Sequence, residues 1–197
     1  MDFEQEGFID VMRTAGVRAD VVTVDAHLGY YYNRTVLERL EADVIVPARA
    51  KGYRRILLVG VSLGGLGALL HERDFPGSVD GLVVLAPYLG REGSLFKQIA
   101  AAGGPQAWAV GRDLSAGEVE EQIWAFLGSR SQLLPPTWLS YGRGDDFAGG
   151  HNMLARLLPA VRVRSIEGGH DWPTWRALWQ EVCRDTVLFP LEVVKGN

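Results

Sequence analysis

Short runs of β-branched and aliphatic residues alternate along this chain with longer segments of helical periodicity. Four of these runs are typical of buried strands: Val21–Asp25, Ile56–Val61, Leu82–Ala86 and Thr137–Tyr141. A fifth, Val161–Ile166, alternates apolar and polar residues, so one of its faces meets solvent and we expect it at or near a sheet edge. The alternation of strands and helices predicts an α/β fold, a mostly parallel sheet with helices on both faces.

Helical patterns fill the segments between these strands. Asp2–Gly16 has an apolar face, and a second helix with Asn33 as a plausible N-cap is expected to end or kink near Pro47. A third helix, Leu63–Arg73, starts directly after a strand.

The last long helix is predicted over Trp172–Asp185, with Asp171 as its N-cap. Trp175 and Trp179 are one turn apart on one face, which favours a core position for both. The lone cysteine, Cys183, lies in the same apolar pattern and is interpreted as a packing residue.

The chain has the size and composition of one globular domain. Its 197 residues are 47% hydrophobic and 22% charged, which is enough to bury a substantial core, so we expect a single domain over residues 1–197. The stretch 87–136 is long for a crossover between strands. It is predicted to fold partly over the active site as a lid or insertion.

Charge and targeting signals limit the possible partners. The net charge of −4, without a compensating basic run, argues against nucleic acid and anionic membranes. The start lacks the pattern of a secretory signal and no apolar run is long enough to span a bilayer, so together with the single cysteine the sequence points to the cytoplasm. The four histidines lack metal-ligand spacing, and we expect neither a metal nor a cofactor. Nothing in the sequence predicts an oligomeric state.

The segment GVSLGG, residues 60–65, fits the pattern G-x-S-x-G between a predicted strand and a predicted helix. A strand, a sharp turn and a helix expose the Oγ of Ser62 at the carboxyl end of the strand, and flanking glycines leave room for the turn. The backbone N–H of Leu63 then lies at the helix N-terminus, where it can receive an oxyanion.

A serine hydroxyl needs a neighbouring base, and His170 is the best candidate. It follows a predicted strand by a short loop and precedes the last helix, whereas His27, His71 and His151 are less well placed. The base must be oriented by an acid.

That acid is predicted in the segment GRGDD, residues 142–146, just beyond the strand Thr137–Tyr141. Asp145 is favoured over Asp146, because Asp146 precedes a helical pattern and suits an N-cap.

The elbow GVSLGG, the turn YGRGDD and the segment GGHDW occur in the order Ser, Asp, His, and together they resemble the α/β-hydrolase superfamily over nearly the whole chain. The resemblance implies a serine esterase or thioesterase. Such an enzyme transfers the acyl group of a small ester or thioester to Ser62 and then hydrolyses it without a cofactor.

The chain departs from that family at its start. The strand that carries the family's oxyanion-hole loop has no counterpart, since Asp2–Gly16 already resembles the helix that follows it. Either the N-terminus is truncated, which we favour, or the sheet closes directly between Val21–Asp25 and Ile56–Val61. An inactive binding or regulatory member of the fold is therefore the main alternative. A dinucleotide site is disfavoured because the turn reads G-x-S-x-G-G and Asp80 begins a strand.

The segment 25–32 leaves a predicted strand at its carboxyl end, the side where open α/β sheets bind ligands. It carries His27 and three adjacent tyrosines, which are unlikely all to be buried. We expect His27 and one tyrosine, Tyr30 or Tyr31, to border the acyl pocket.

Overall fold

The computed structural model describes residues 3–26 and 35–190 of the chain. Its sheet has four strands in the order β1-β2-β3-β4, and each strand is parallel to the next. The strands are β1 (Leu57–Val61), β2 (Gly81–Leu85), β3 (Thr137–Gly142) and β4 (Val163–Ile166). Four of the five predicted strands are thus confirmed with small shifts at their ends, and their carboxyl ends all meet at one edge of the sheet.

Helices occupy the segments between and outside the strands. They are α1 (Phe8–Thr14), α2 (Val36–Leu40), α3 (Val46–Ala50), α4 (Leu63–Asp74), α5 (Ser94–Ala101), α6 (Pro105–Ala109), α7 (Val119–Arg130), α8 (Ala148–Ala155) and α9 (Trp172–Val182). A π-helical turn, Glu41–Ile45, joins α2 to α3, and short 3₁₀ turns cover Ser131–Leu133 and Ala160–Arg162.

Helices cover both faces of the sheet, as predicted. Successive residues of a strand point to opposite faces, so Trp138 and Tyr141 of β3 lie on opposite sides. The Tyr141 hydroxyl donates to Asn152 of α8, whereas the Trp138 indole N–H donates to Asp185, just beyond α9. The α/β fold class is therefore confirmed.

The predicted strand Val21–Asp25 is wrong. The structure assigns no strand to these residues, and Val21, Val22 and Val24 are 40%, 68% and 46% exposed. A strand needs a paired neighbour for its backbone N–H and C=O groups, and within the described residues β1 pairs with β2 alone. The sheet therefore does not close between residues 21–25 and β1.

The second helix is expected to end or kink near Pro47, and it ends close to that residue, at Ala50. Helical structure runs past Pro47 to Ala50, with the π-helical turn Glu41–Ile45 immediately before it. Proline has no N–H to donate to the carbonyl four residues earlier, and a local change of helical pitch accommodates that loss. The predicted N-cap, Asn33, lies outside the described residues.

The last helix is confirmed, although it ends at Val182. Asp171 caps it by accepting a hydrogen bond from the backbone N–H of Thr174 at 2.9 Å. Trp175 and Trp179 are buried, as predicted, and the indole N–H of Trp179 donates to the carbonyl of Phe8 in α1. Helices α1 and α9 are thereby joined on one face of the sheet.

The region 87–136 carries α5, α6 and α7, which share one hydrophobic cluster with the sheet. Glu118 and Glu121 form a capping box at the start of α7. Gly128, near the end of α7, lies so close to α6 that a Cβ atom there would overlap the Pro105 carbonyl oxygen and lie 2.7 Å from the Ala109 Cβ. The absence of a side chain at Gly128 is what lets the two helices approach.

Gly128→Ala should therefore destabilise the protein, although alanine is normally the better helix residue. Overpacking of this kind costs about 1–3 kcal/mol. In a chain of this size each kcal/mol lowers the melting temperature by about 2–4 °C. Calorimetry of the variant measures the shift, and Lys97→Ala, at an exposed position of α5, is the control expected to change stability by less than about 0.5 kcal/mol. An unchanged melting temperature for Gly128→Ala would contradict this account of the helix packing.

Candidate active site

Ser62 occupies a sharp turn between β1 and α4, as the sequence predicts. Its backbone has φ 52° and ψ −116°, a conformation that non-glycine residues rarely adopt. A Cβ at Gly60 would overlap the Gly64 carbonyl oxygen, and one at Gly65 would lie 2.8 Å from the Pro87 Cβ. Gly64, in contrast, has open space where a side chain would be. The turn thus needs glycine at positions 60 and 65 for different close contacts.

The turn after β2 braces this elbow. The backbone N–H of Ser62 donates to the Leu85 carbonyl, and the N–H of Tyr88 donates to the Ser62 carbonyl, both at 2.9 Å. Between them, Ala86 is the second described non-glycine residue with positive φ, at 46°. Two strained backbones therefore lie side by side and are tied together by two hydrogen bonds.

His170 lies in the loop between β4 and α9 and contacts both other members of the predicted triad. Its Nε2 is 2.8 Å from the Ser62 Oγ, and its Nδ1 is 2.7 Å from the Asp145 Oδ2. A carboxylate can only accept, so Nδ1 carries the proton and Nε2 is left as the acceptor for the serine hydroxyl. This is the tautomer that a general base for Ser62 requires.

Asp145, and not Asp146, faces the imidazole. The side chain of Asp145 is fully buried, and its second oxygen, Oδ1, accepts the backbone N–H of Phe147 at 2.8 Å. Asp146 is exposed. A buried carboxylate is costly unless it is hydrogen-bonded, and here each of the two oxygens has a partner.

The loops that carry Asp145 and His170 are docked on each other through main-chain contacts. The N–H groups of Arg143 and Gly144 donate to the carbonyls of Ile166 and Gly168 at 2.8 and 2.9 Å. A Cβ at Gly142 would overlap the Gly168 carbonyl oxygen, so the approach depends on glycine. The position of His170 relative to Asp145 is therefore set by backbone as well as by side chains.

Two aromatic residues hold the imidazole ring from the sides. The rings of Phe147 and Trp175 each lie 4.8 Å from the His170 ring in edge-to-face geometry. The sequence pattern assigned Trp175 only to the core and did not single out Phe147. The position of Phe147 two residues after Asp145 was the one available signal.

The remaining predicted site residues fall into two groups. Leu63 is the first residue of α4, so its backbone N–H lies at the helix N-terminus beside Ser62. His27, Tyr30 and Tyr31 lie outside the described residues. Two clefts of about 290 and 420 Å³ lie on the described surface, and neither is lined by Ser62, Asp145 or His170.

The described part of the chain, residues 3–26 and 35–190, shows neither a metal-binding cluster nor a membrane-spanning helix. No group of three or more histidine, cysteine or acidic side chains is placed to hold a metal ion in that part of the chain. None of the helices described there combines the length and the apolar character needed to cross a bilayer.

No protein-family model and no curated protein sequence matches this chain. Solved structures do match it. The esterase Est22 aligns with a TM-score of 0.52 and 18% identity, over 92% of this chain and 63% of its own length. The Paleococcus ferrophilus monoacylglycerol lipase has a TM-score of 0.48 and 16% identity, over 77% of this chain and 75% of its own. A ferulic acid esterase has a TM-score of 0.48 and 18% identity, over 77% and 61%. The chain has the α/β-hydrolase fold.

The geometry of the turn at Ser62 predicts opposite outcomes for alanine substitutions at Gly60 and Gly64. Gly60→Ala forces a side chain into the Gly64 carbonyl and should lower the free energy of unfolding by about 1–3 kcal/mol or prevent folding. Gly64→Ala meets no atom within 4 Å and should fold with a melting temperature close to that of the parent protein. Thermal unfolding of the two variants side by side is the measurement, and equal losses would mean that close packing does not decide which glycine is needed.

The thiol of Cys183 should be unreactive in the folded protein. It is buried, and burial raises the pKa of its thiol to about 12, so the reactive thiolate is scarce near pH 8. A chromogenic disulfide reagent should therefore titrate no thiol in the native protein and one after unfolding in guanidinium. Ser62→Cys is the positive control, since its new thiol would lie beside His170 and should react without unfolding. Rapid reaction of the native parent protein would contradict the burial of Cys183.

Proposed function

We propose that this protein is a serine hydrolase that cleaves a carboxylic ester or thioester through an acyl-enzyme on Ser62. The observation that carries the proposal is the hydrogen-bond chain from the Ser62 Oγ through the His170 imidazole to the Asp145 carboxylate, with links of 2.8 and 2.7 Å. Short links in this order supply an activated nucleophile, a base and an orienting acid.

In the first half-reaction the Ser62 oxygen attacks the acyl carbon while Nε2 of His170 takes the hydroxyl proton. The carbonyl π electrons move to oxygen, and the tetrahedral intermediate carries one negative charge. The N-terminus of α4, with the Leu63 backbone N–H, supplies partial positive charge at that place. The intermediate collapses when the imidazolium protonates the leaving alcohol or thiol, which leaves the acyl group on Ser62.

In the second half-reaction water replaces the alcohol. His170 removes a proton from water as the oxygen attacks the acyl-enzyme, and a second tetrahedral intermediate forms. The same proton then returns to the Ser62 oxygen as the acyl bond breaks. The products are a carboxylic acid and the free hydroxyl of Ser62, so no cofactor enters the balance.

Asp145 serves this cycle by stabilising the imidazolium that forms twice. Its carboxylate is shielded from water and held by the Phe147 N–H, so its interaction with a charged His170 is stronger than the same pair in solvent. Phe147 and Trp175 keep the ring from rotating away. The acid therefore acts on orientation and charge together.

The assignment of the substrate has less support than the assignment of the triad. Est22, which has the highest TM-score of the three structures reported above, is described as an esterase, and this agrees with an ester substrate. We assign the acyl pocket to His27 and Tyr30 or Tyr31, and the covering lid to the region 87–136. Within that region, the Tyr88 hydroxyl donates a hydrogen bond of 2.9 Å to Glu120 of α7 and so connects the turn after β2 to that helix.

A second candidate is a binding or regulatory protein of the same fold. Within the described residues the sheet has no strand beyond β1, the side from which the family's second oxyanion donor comes. Loss of one such donor typically costs about a hundred- to a thousandfold in turnover. A fluorophosphonate probe distinguishes the two functions, since it labels only an activated serine.

The triad assignment predicts a graded set of variants. Ser62→Ala and His170→Ala should each abolish hydrolysis of p-nitrophenyl acetate and labelling by the fluorophosphonate. Asp145→Asn should reduce kcat by about 10⁴-fold, because an amide at this place no longer fixes the base tautomer. Steady-state kinetics at pH 8 with active-site titration measures both effects.

Asp146→Asn is the matched control for the acid. It removes one charge from the neighbouring exposed position and should keep kcat within a few-fold of the parent value. A larger loss for Asp146→Asn than for Asp145→Asn would overturn the acid assignment. Full activity of Ser62→Ala would disprove a mechanism with Ser62 as the nucleophile. A folded parent protein that the fluorophosphonate does not label would favour the binding function.

A further inference from the structure

A second buried histidine, His151, lies in α8 beside the triad. Its side chain is fully buried, and its Nε2 is 3.0 Å from the carbonyl oxygen of Pro87. Its Nδ1 is also buried and has no hydrogen-bond partner among the described residues. The contact with the Pro87 carbonyl is therefore the hydrogen bond through which this buried side chain can act.

The contact with Pro87 requires a proton on Nε2 of His151. A carbonyl oxygen only accepts, so Nε2 must carry a proton and donate it. Burial lowers the pKa of His151, and the nearby Asp145 carboxylate and the backbone carbonyls of Pro87 and Ala86 raise it in part. The residue is therefore neutral near pH 7, with a lone pair on Nδ1 and a single hydrogen bond to give.

The carbonyl that receives this bond belongs to the turn that braces the elbow. Ala86 and Tyr88 flank Pro87, and the Tyr88 N–H holds the Ser62 carbonyl. The ring of Pro87 also packs where Gly65 has no side chain. A shift of the Pro87 peptide would therefore disturb both the Tyr88 bond to Ser62 and the packing of the Pro87 ring against Gly65.

The other end of the bond is tied to the acid. Helix α8 begins just after the Asp145 turn, where the Ala148 N–H donates to the Asp145 carbonyl at 3.0 Å and the His151 N–H donates to the Phe147 carbonyl at 3.3 Å. The imidazole also lies against the ring of Tyr141 in β3, with centroids 5.2 Å apart. One side chain thus connects the segment that carries the acid with the turn that holds the nucleophile.

We propose that His151 is a positioning residue, which sets the Ser62 elbow relative to Asp145 by holding the Pro87 carbonyl. Its importance for turnover rests on the proposed hydrolase function, whereas its hold on the turn does not. The side chain is fully buried, and neither of its ring nitrogens is hydrogen-bonded to Ser62, Asp145 or His170. A misplacement of the nucleophile by about 1 Å is enough to lower turnover by about a hundredfold.

The test compares three substitutions at one position in the full chain. His151→Phe keeps a ring against Tyr141 but cannot donate, and His151→Gln restores an N–H near the place of Nε2. If His151→Phe does not fold, His151→Asn provides the same comparison, since its amide is too short to reach Pro87. The matched control is His71→Phe, at another fully buried histidine with an unpaired Nδ1, whose Nε2 contacts Glu41 instead.

Two readouts are needed, and only one depends on activity. Hydrogen exchange of the Tyr88 amide, resolved by NMR, reports whether the brace on Ser62 opens. We expect it to quicken about tenfold in His151→Phe, the effect of losing one buried hydrogen bond, and to return close to the parent rate in His151→Gln. Ester kinetics measured well below the melting temperature should show kcat falling by about tenfold to a hundredfold with KM nearly unchanged, again rescued by glutamine.

The outcomes separate the two proposals. An unchanged Tyr88 exchange rate in a folded His151→Phe variant, or an equal increase in His71→Phe, overturns the positioning role. Faster exchange with kcat unchanged overturns it as well, since the elbow would then tolerate a loose turn. If the exchange pattern is as expected but the parent protein hydrolyses no ester and takes no fluorophosphonate, His151 positions the elbow and the hydrolase function is wrong.

Discussion

The backbone conformation of Ser62 is the constraint on which the rest of the site depends. A non-glycine residue at such a φ and ψ costs about 1–3 kcal/mol and persists only where its surroundings impose it. Here the surroundings are the turn after β2, joined to Ser62 by two main-chain hydrogen bonds, each of which contributes about 0.5–1.5 kcal/mol. These bonds are of the same size as the strain. The turn itself contains strained Ala86, so each segment is held in its conformation by the other.

The sheet order explains how four separate loops reach this place. Because β1 to β4 lie side by side in chain order and in parallel, the loops after them lie in one row at the carboxyl edge. The first carries Ser62, the second the bracing turn, the third Asp145 and the fourth His170. The last two loops dock through glycines and main-chain hydrogen bonds, so the row is fixed by backbone contacts before any side chain is considered.

Much of this could be predicted from the sequence, because both the strands and the motif order are local signals. The β-branched and aliphatic composition of Ile56–Val61 alone predicts a strand. The glycines around Ser62 likewise predict a sharp turn. Val21–Asp25 carries the same composition, yet forms no strand, because pairing depends on a neighbour that local composition does not describe. The sequence favours Asp145 because Asp146 is expected to cap the next helix, but the N-cap of α8 is Phe147. The contact of Asp145 with His170 comes instead from the fold of the turn, which local sequence does not describe.

The two buried histidines show why side-chain chemistry could not be assigned from position alone. His71 and His151 both lie in helices, are fully buried and leave one ring nitrogen unpaired, so neither burial nor hydrogen-bond count separates them. Their acceptors do. Glu41, the partner of His71, keeps 18% of its side chain exposed, and water can replace a lost donor there. The Pro87 carbonyl is buried, and an acceptor left without a partner in such a place costs about 1–3 kcal/mol. Removing the His151 donor therefore leaves a cost that only movement of the turn can relieve, and that turn is the one that holds Ser62.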